Sequence, residues 1–342
     1  MEQYHELVED VLENGSYEQN RTDVPTLAAP NQHYRIDLDD GFPLLTTKDL
    51  SGFRWNSLIH EILWYFSGEE HIRNLREETG IWDEWADEEG HLDTAYGRFW
   101  RRYPVPEEGA QLDGETWVDE GSPWVTEEDG SLVFDQLGYV IDTLNGENPE
   151  KDPYSRQLPI NAWHPANAAA SGLPPCHYTF HPNVIDDELN VSLTQRSGDI
   201  ALGIPFNIAG YSIMTKIMSN ETGFEEGELG HTIDDAHIYL GKGDRAEWYS
   251  EDENLEELQE RVAGVDDRDE FLEVRDWLLE EAPEEEEEDY DHVPGLLLQL
   301  SREPRERPEL EIADRHFEDL EFEDFELSGY NPYDGINFEV AE

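Results

Sequence analysis

Apolar positions near the start of the chain recur at helical spacing: Leu7, Val8, Val11 and Leu12 predict a short amphipathic helix over residues 4–12. A polar loop carrying Arg21 is expected over 14–23. Further on, a dense apolar run over 58–66 predicts a buried helix with Glu61 inside it. Residues 188–197 switch to alternation, with Leu189, Val191 and Leu193 on one face and Asn190, Ser192 and Thr194 on the other. That period of two marks a strand with one wetter face. Residues 208–218 read as a buried helix, and in 235–239 alternation places His237 and Tyr239 on one strand face. Strands and helices are interspersed without a regular β-α-β rhythm, which predicts an α+β fold rather than a doubly wound sheet.

Two stretches break the pattern. Residues 104–131 are rich in proline, glycine and acids, and read as a surface excursion. Residues 241–291 form a second one, where Leu255, Leu258 and Val262, then Phe271, Val274 and Leu278, predict two amphipathic helices ahead of a solvated acidic run at 284–289. The core pattern resumes at Leu296-Leu297-Leu298-Gln299-Leu300. The expected organisation is one domain over 1–342 with acidic surface insertions at about 104–131 and 241–291.

The chain has 342 residues, 37% of them apolar and 11% aromatic, enough to bury a sizeable core. No stretch approaches the roughly 18 apolar residues of a membrane span. The start, Met1-Glu2-Gln3-Tyr4-His5-Glu6, is neither basic nor apolar, so neither a membrane partner nor a secretory signal is expected. One cysteine cannot close an intrachain disulfide; it fits a reducing cytoplasm and excludes a multi-cysteine zinc site. Charge alters the picture most: 22 basic residues face 83 acidic ones, for a net charge of −61. No basic face is available for a nucleic-acid duplex. A carboxylate-coated surface suits concentrated salt, where charges are screened within about 3 Å at 1 M. A disordered acidic chain is the bland alternative, and ten tryptophans argue against it.

Cys176 lies in Leu173-Pro174-Pro175-Cys176-His177-Tyr178, at the start of an expected strand. A lone cysteine is commonly a small buried hydrophobe. Nucleophilic use requires thiolate character, hence a nearby cation or hydrogen-bond donors. His177 would point to the opposite strand face, so an arginine from another segment is the better activator. Gln195-Arg196-Ser197-Gly198-Asp199 ends the alternating strand. Arg196 offers a bidentate guanidinium and Ser197 a hydroxyl to a phosphate, unless the segment is a turn with a surface ion pair. Arg21 and Arg156 are further loop arginines in a chain short of cations. Glu61, three residues after Leu58 and four before Tyr65, either sits at a helix margin or falls on an apolar face. On that face its pKa would rise toward the range of general acid–base work. Asn207, in Leu202-Gly203-Ile204-Pro205-Phe206-Asn207, either caps the next helix or reads the edge of a base. Asp235 and His237 lack further ligands, and Trp64 stands where a zinc motif opened by His60-Glu61 would need histidine; no metal is expected.

Taken together, these segments resemble thymidylate synthase of the folate-dependent, homodimeric type. The matching blocks are Asn20-Arg21-Thr22, Asp40-Gly41-Phe42-Pro43-Leu44-Leu45-Thr46-Thr47-Lys48, His60-Glu61-Ile62-Leu63-Trp64 and Ile81-Trp82-Asp83-Glu84-Trp85-Ala86. Further on stand Tyr96-Gly97, Pro175-Cys176-His177, Gln195-Arg196-Ser197, the run from Asp199 to Ala209, and the His237-x-Tyr239 pair after Asp235. Gln299-Leu300-Ser301-Arg302-Glu303-Pro304 and Phe322-Glu323-Asp324-Phe325 complete the set. They keep the family's order and span nearly the whole chain apart from the two acidic excursions.

The resemblance implies a twisted mixed sheet with packed helices, one sheet face forming a homodimer interface. It implies reductive methylation of dUMP to dTMP, with 5,10-methylenetetrahydrofolate as carbon donor and reductant and no metal. Cys176 would add to C6 of the uracil with help from Arg196, and Asn207 would bind the base at O4 and N3. Glu61 and Tyr96 would serve an ordered-water network that removes the C5 proton. The dUMP site would include Arg21, Arg156 (from the partner chain), Gln195, Arg196, Ser197, Gly198, Asp199, Asn207, His237 and Tyr239. The folate site would include Ile81, Trp82, Trp85, Asp199, Leu202, Gly203, Phe206 and Ala341. The chain departs from the pattern twice. Gln157 stands where the family carries a second partner arginine, which weakens phosphate binding by roughly 1–3 kcal/mol. The end, Val340-Ala341-Glu342, closes on a charge rather than an aliphatic residue. The rival readings are a deoxycytidylate hydroxymethylase, which carries Asp in place of Asn207, and a non-catalytic acidic binding scaffold.

Overall fold

The structure is a computed structural model that describes residues 1–93, 95–106, 121–284 and 290–341. The centre of the first excursion, most of the acidic run after 283 and the terminal Glu342 lie outside the described residues.

Helix α1 (Glu2–Asn14) buries Tyr4, Leu7, Val8, Val11 and Leu12, the stripe its spacing demands. The polar stretch behind it is not all loop, because β1 (Ser16–Glu18) pairs antiparallel with β2 (Thr26–Asp37). Helix α2 (Phe53–Ser67) stops at Gly68, which takes the left-handed conformation. Helix α3 (Tyr96–Arg101) lies so close to α2 that Gly97 has no room for a side chain: a Cβ there would sit 2.1 Å from the Tyr65 carbonyl oxygen.

The first excursion is more ordered at its flanks than its composition predicts. Strands β3 (Tyr103–Pro104), β4 (Val125–Glu128) and β5 (Ser131–Phe134) form a small sheet, ordered β3-β5-β4. Helix α4 (Gln136–Leu144) follows, capped by the Asp135 carboxylate on the Gly138 amide.

The main sheet takes in β6 (Ile160–Asn161), β7 (His177–Ile185), β8 (Glu188–Gln195), β9 (Gly198–Asp199) and β10 (Glu225–Tyr239). The short α5 (Pro165–Ala168) precedes β7, and the long α6 (Gly203–Thr222) joins β9 to β10. The seven strands run β1-β2-β10-β8-β7-β6, with β9 paired to β10. Because β10 is antiparallel to β2 but parallel to β8 and β9, the sheet is mixed and the fold α+β. Leu189, Val191 and Leu193 of β8, with Leu229, His231 and Ile233 of β10, are buried in the core. Helix α6, buried along most of its length, packs on those strands and on α2. Side chains that alternate with them, His33, Arg35, Ser192 and Glu228, leave a polar, half-exposed face.

The second excursion differs from expectation. It holds three helices, α7 (Gly243–Ser250), α8 (Asp252–Ala263) and α9 (Glu270–Glu281), not two. Helix α7 escapes a periodicity reading because only Arg245, Ala246 and Tyr249 are buried along it. Leu258, Val262, Phe271, Val274 and Leu278 join the same apolar cluster as the sheet core, with α8 against α1 and α9 against α10 (Val293–Leu300). At the base of these helices Arg245 pairs with Asp291 at 2.6 Å, both side chains buried. Asp291 also accepts the Tyr249 hydroxyl and the Val293 amide. A last antiparallel pair, β11 (Glu309–Ile312) and β12 (Phe325–Ser328), precedes the tail. Among the described residues, no helix is long and apolar enough to cross a membrane.

Candidate active site

Strand β7 runs antiparallel to β8, so the start of one meets the end of the other, with His177 opposite Gln195. The Cys176 carbonyl, one residue earlier, accepts the Arg196 amide at 2.9 Å. The Arg196 side chain then folds over the cysteine loop: Nε donates to the Pro175 carbonyl at 3.0 Å and Nη2 to the Pro174 carbonyl at 2.6 Å. Parallel pairing sets Gly198 beside Ala236 and Asp199 beside His237. A Cβ at Gly198 would lie 2.6 Å from Ile204 Cδ1, so that side chain would have to shift to admit one.

Burial pushes the Cys176 thiol above its ordinary range, and Arg196 and Arg21 pull it back only in part. Cys176 is nevertheless part-exposed. Arg21 is exposed on a loop closed by its neighbours, where Asn20 Oδ1 accepts the Thr22 amide at 2.8 Å and the Thr22 hydroxyl at 2.6 Å.

Glu61 occupies an aromatic box. The Tyr65 hydroxyl and Trp82 Nε1 both donate to its Oε1, at 2.9 and 2.8 Å. Neither donor is charged, and burial pushes the carboxyl up to about 7 against their opposing pull. Tyr96 joins this box to the cysteine. Its ring lies 5.3 Å from Tyr65 and 6.1 Å from Trp82, and its hydroxyl accepts the Cys176 N–H at 2.8 Å. The same ring stacks on His177 at 3.8 Å. His177 bonds the Tyr211 hydroxyl at 2.9 Å, and burial pulls its imidazole down to about 3. It is neutral and occupied in the core, so it is no base for the thiol.

Asn207 sits within α6, beyond the first turn that starts at Gly203, so it does not cap the helix. Its Nδ2 donates to Gln195 Oε1 at 2.8 Å. Gln195 is buried and also donates from Nε2 to the Ser197 carbonyl at 2.8 Å. Both ends of its amide are engaged within the protein. The His237 and Tyr239 rings are 5.3 Å apart, and His237 Nδ1 is 3.3 Å from Asp235. Burial and Asp199 raise the Tyr239 hydroxyl to about 12. Asp199 Oδ1 accepts the Ala201 and Leu202 amides ahead of α6. Leu202, Gly203 and Phe206 are half-buried there, as are Ile81, Trp82 and Trp85 on their turn and Ala341 at the end of the tail.

Arg156 is exposed and, among the described residues, has neither hydrogen bond nor ion pair. Its neighbour Gln157 accepts from Lys151 Nζ at 2.5 Å.

Two residues went unassigned from sequence. Lys48 is buried, donates to the Ala201 carbonyl and faces the Phe338 ring at 4.9 Å; burial pulls its ammonium down to about 7, against Asp199. His292 is buried, with Nε2 on the Glu339 carbonyl at 3.0 Å and Nδ1 3.9 Å from Asp199 Oδ1. Together they tie the tail to the Asp199 end of the site. Lys48 carries two signals in the sequence, its place at the end of the Asp40-to-Lys48 block and its rarity as one of four lysines in the chain; for His292 there is none. Among the described residues, no three His, Cys, Asp or Glu side chains converge on a metal position.

The family model described as Thymidylate synthase matches residues 2–342. A protein named thymidylate synthase, from Haloferax volcanii, is 64% identical over 339 residues, covering 98% of this chain and 96% of its own.

Proposed function

The chain belongs to the thymidylate synthase family, and from that premise we propose how its own residues carry out the methylation of dUMP to dTMP. The enzyme is a methyltransferase. The dUMP phosphate is held by Arg21, Arg196 and Ser197 of one chain and by Arg156 of a second copy, docked through the polar sheet face. His237 and Tyr239 hold the ribose 3′-hydroxyl, the Gly198 and Asp199 backbone lines the sugar, and Asn207 meets the uracil at O4 and N3. Residues 1–342 act as one catalytic unit, with the acidic stretches at 104–131 and 241–291 added to its outside.

Cys176 sulfur bonds to C6 of the ring. Because its thiol lies above the ordinary range in the free chain, its proton must leave as the bond forms, and the Arg196 and Arg21 guanidiniums ease that loss. Negative charge then develops toward O4, where the Asn207 amide donates; a donor already in place costs no reorganisation during the step. Glu61, whose carboxyl stands at about 7, takes and returns protons near neutrality through water beside Tyr96.

The folate residues suit their ligand chemically. Trp82, Trp85 and Phe206 keep half-buried aromatic surface, and the buried Nδ1 of His292 has no hydrogen-bond partner beside Asp199. Ile81, Leu202, Gly203 and Ala341 complete the wall. When bound, 5,10-methylenetetrahydrofolate supplies the one-carbon unit and the hydride that reduces it.

The observation that carries this reading is the Tyr96 hydroxyl on the Cys176 amide, with its ring against both donors to Glu61. Nucleophile and proton carrier are thereby built into one unit. The test is tritium release from C5-labelled dUMP at molar salt, with and without methylenetetrahydrofolate. Folate-dependent release by the native enzyme and none by Cys176→Ser is expected; equal release by both would overturn the role of the thiol.

A further inference from the structure

Arg268 stands in the turn between α8 and α9, among Asp266, Asp267, Asp269 and Glu270. The turn is fixed locally, since Glu270 Oε2 accepts the Asp266 and Asp267 amides at 2.8 and 3.2 Å. It turns the guanidinium away from those neighbours and toward α1. Two of the Arg268 contacts are charge pairs: Nη2 donates to Glu2 at 2.6 Å, and Nε lies 3.1 Å from Glu303. The others go to uncharged groups, with Nη1 donating to the Leu300 carbonyl at 3.2 Å and to His5 Nδ1 at 2.8 Å. A guanidinium has no lone pair to offer, so Nδ1 is the accepting nitrogen of that imidazole. His5 is 1% exposed, and burial, with Arg268 beside it, pulls the ring down to about 3, which leaves a single ring proton to place. That proton falls on Nε2, which meets the Thr47 hydroxyl oxygen at 3.2 Å.

We propose that Arg268 is a positioning residue for the folate end of the site, acting through His5 on Thr47 and so on Lys48 and the tail. The inference rests on the folate reading above and gives the second acidic excursion a part in it. Thr47, 1% exposed, is where three parts of the molecule meet. Its hydroxyl oxygen takes His5 and, at 3.0 Å, Gln299 Nε2. Its carbonyl accepts Arg302 Nη1 at 2.7 Å, and the same nitrogen donates to the tail carbonyl of Asp334 at 2.8 Å. The next residue, Lys48, donates to the Ala201 carbonyl, beside Leu202 and Gly203, and faces the Phe338 ring. A shift at Thr47 therefore reaches both the Leu202 wall and the tail, while Cys176, Arg196 and Asn207 stand on other elements. In a chain with 22 basic residues against 83 acidic ones, a guanidinium bonded to a neutral imidazole is withheld from the carboxylates that outnumber it. Buried donors and acceptors of this kind hold geometry because water cannot replace a lost partner.

The test measures kcat and the separate KM values for methylenetetrahydrofolate and dUMP in the native enzyme, Arg268→Met, His5→Leu and the double variant, at molar salt. Each single variant should raise the folate KM about five- to tenfold, the size of one lost hydrogen bond, and change the dUMP KM by less than about twofold. The double variant should do no more than the larger single, because both cut the same chain. Histidine-selective ¹⁵N NMR of the native enzyme should show His5 neutral with its proton on Nε2. His5→Leu leaves the Arg268 pairs with Glu2 and Glu303 in place, so it decides the matter if Arg268→Met does not fold. A merely structural brace would lower the melting temperature with the folate KM unchanged, or raise both KM values together. Either result in a folded variant, or an Nδ1 proton on His5, overturns the proposal. A native enzyme without folate-dependent turnover would sink the functional reading and this inference with it, a failure told apart by a His5 tautomer that still reads Nε2.

Discussion

Glu61 and Asp291 are both drawn in from solvent, and the regions that hold them treat a carboxyl in opposite ways. At the base of the acidic helices, Asp291 meets a guanidinium at 2.6 Å, a phenol and a backbone amide. In the aromatic box, Glu61 meets two neutral donors. The first arrangement fixes a charge and makes a strut. The second leaves a proton shared near neutrality, at about 7. In a chain with 22 basic residues against 83 acidic ones, where an arginine goes is informative. Asp291 receives one and Glu61 does not, which separates holding the fold from moving protons.

That contrast can be broken at several points. Glu61→Gln keeps the shape of the box and removes its proton carrier, so kcat should fall by about 10²–10⁴-fold. The same variant should change stability against pH. Burial raises the folded pKa above its ordinary 4.5 to about 7, so the native state binds this proton more tightly. Its contribution is full below 4.5 and is lost as pH rises toward 7. Melting temperatures across that window should therefore fall with pH in the native enzyme and less so in Glu61→Gln. Parallel curves would show that Glu61 titrates as an ordinary surface carboxylate.

Arg245→Met should cost about 3–5 kcal/mol in denaturant unfolding, because it strands the buried Asp291 charge. Adding Asp291→Leu should recover much of that loss, and a mild single variant would make the strut dispensable. Gln157→Arg asks whether scarcity of cations extends to the phosphate end of the site. It should lower the KM for dUMP by about tenfold, the effect of one charged hydrogen bond. An unchanged KM would mean that Lys151, held on Gln157, already supplies the charge. The smallest effect belongs to exposed α8, where Glu253→Gln, Glu256→Gln and Glu260→Gln should each stay within about 0.5 kcal/mol at molar salt. In dilute salt the triple variant should be more stable than the native enzyme, as repulsion is relieved.

Sequence spacing alone reveals the alternation of β8, the helix around Glu61 and the need of Cys176 for an arginine, since each is local or a matter of residue chemistry. The thiol's own state is not legible, because burial is a tertiary quantity and outweighs the nearby charges. Strand β1 and helix α7 also escape, one too short to show a period and the other burying too few apolar residues. The Arg268–His5–Thr47 chain depends on the α8–α9 turn reaching back to α1, a pairing that no window of sequence contains. A non-catalytic scaffold, the blander reading of so acidic a chain, gives way to the 64% identity with the Haloferax volcanii enzyme.

Gly97 shows where this chemistry is most brittle. Its lone hydrogen is the spacer between two helices, with the Tyr65 carbonyl 2.1 Å from where a methyl carbon would go. One helix carries Glu61 and Tyr65, the other Tyr96. A single added methyl would act as a wedge at that seam, parting proton carrier from nucleophile without altering any group that reacts. Anyone transplanting the reaction into another scaffold would have to copy this backbone-to-backbone gap before copying a single reactive side chain.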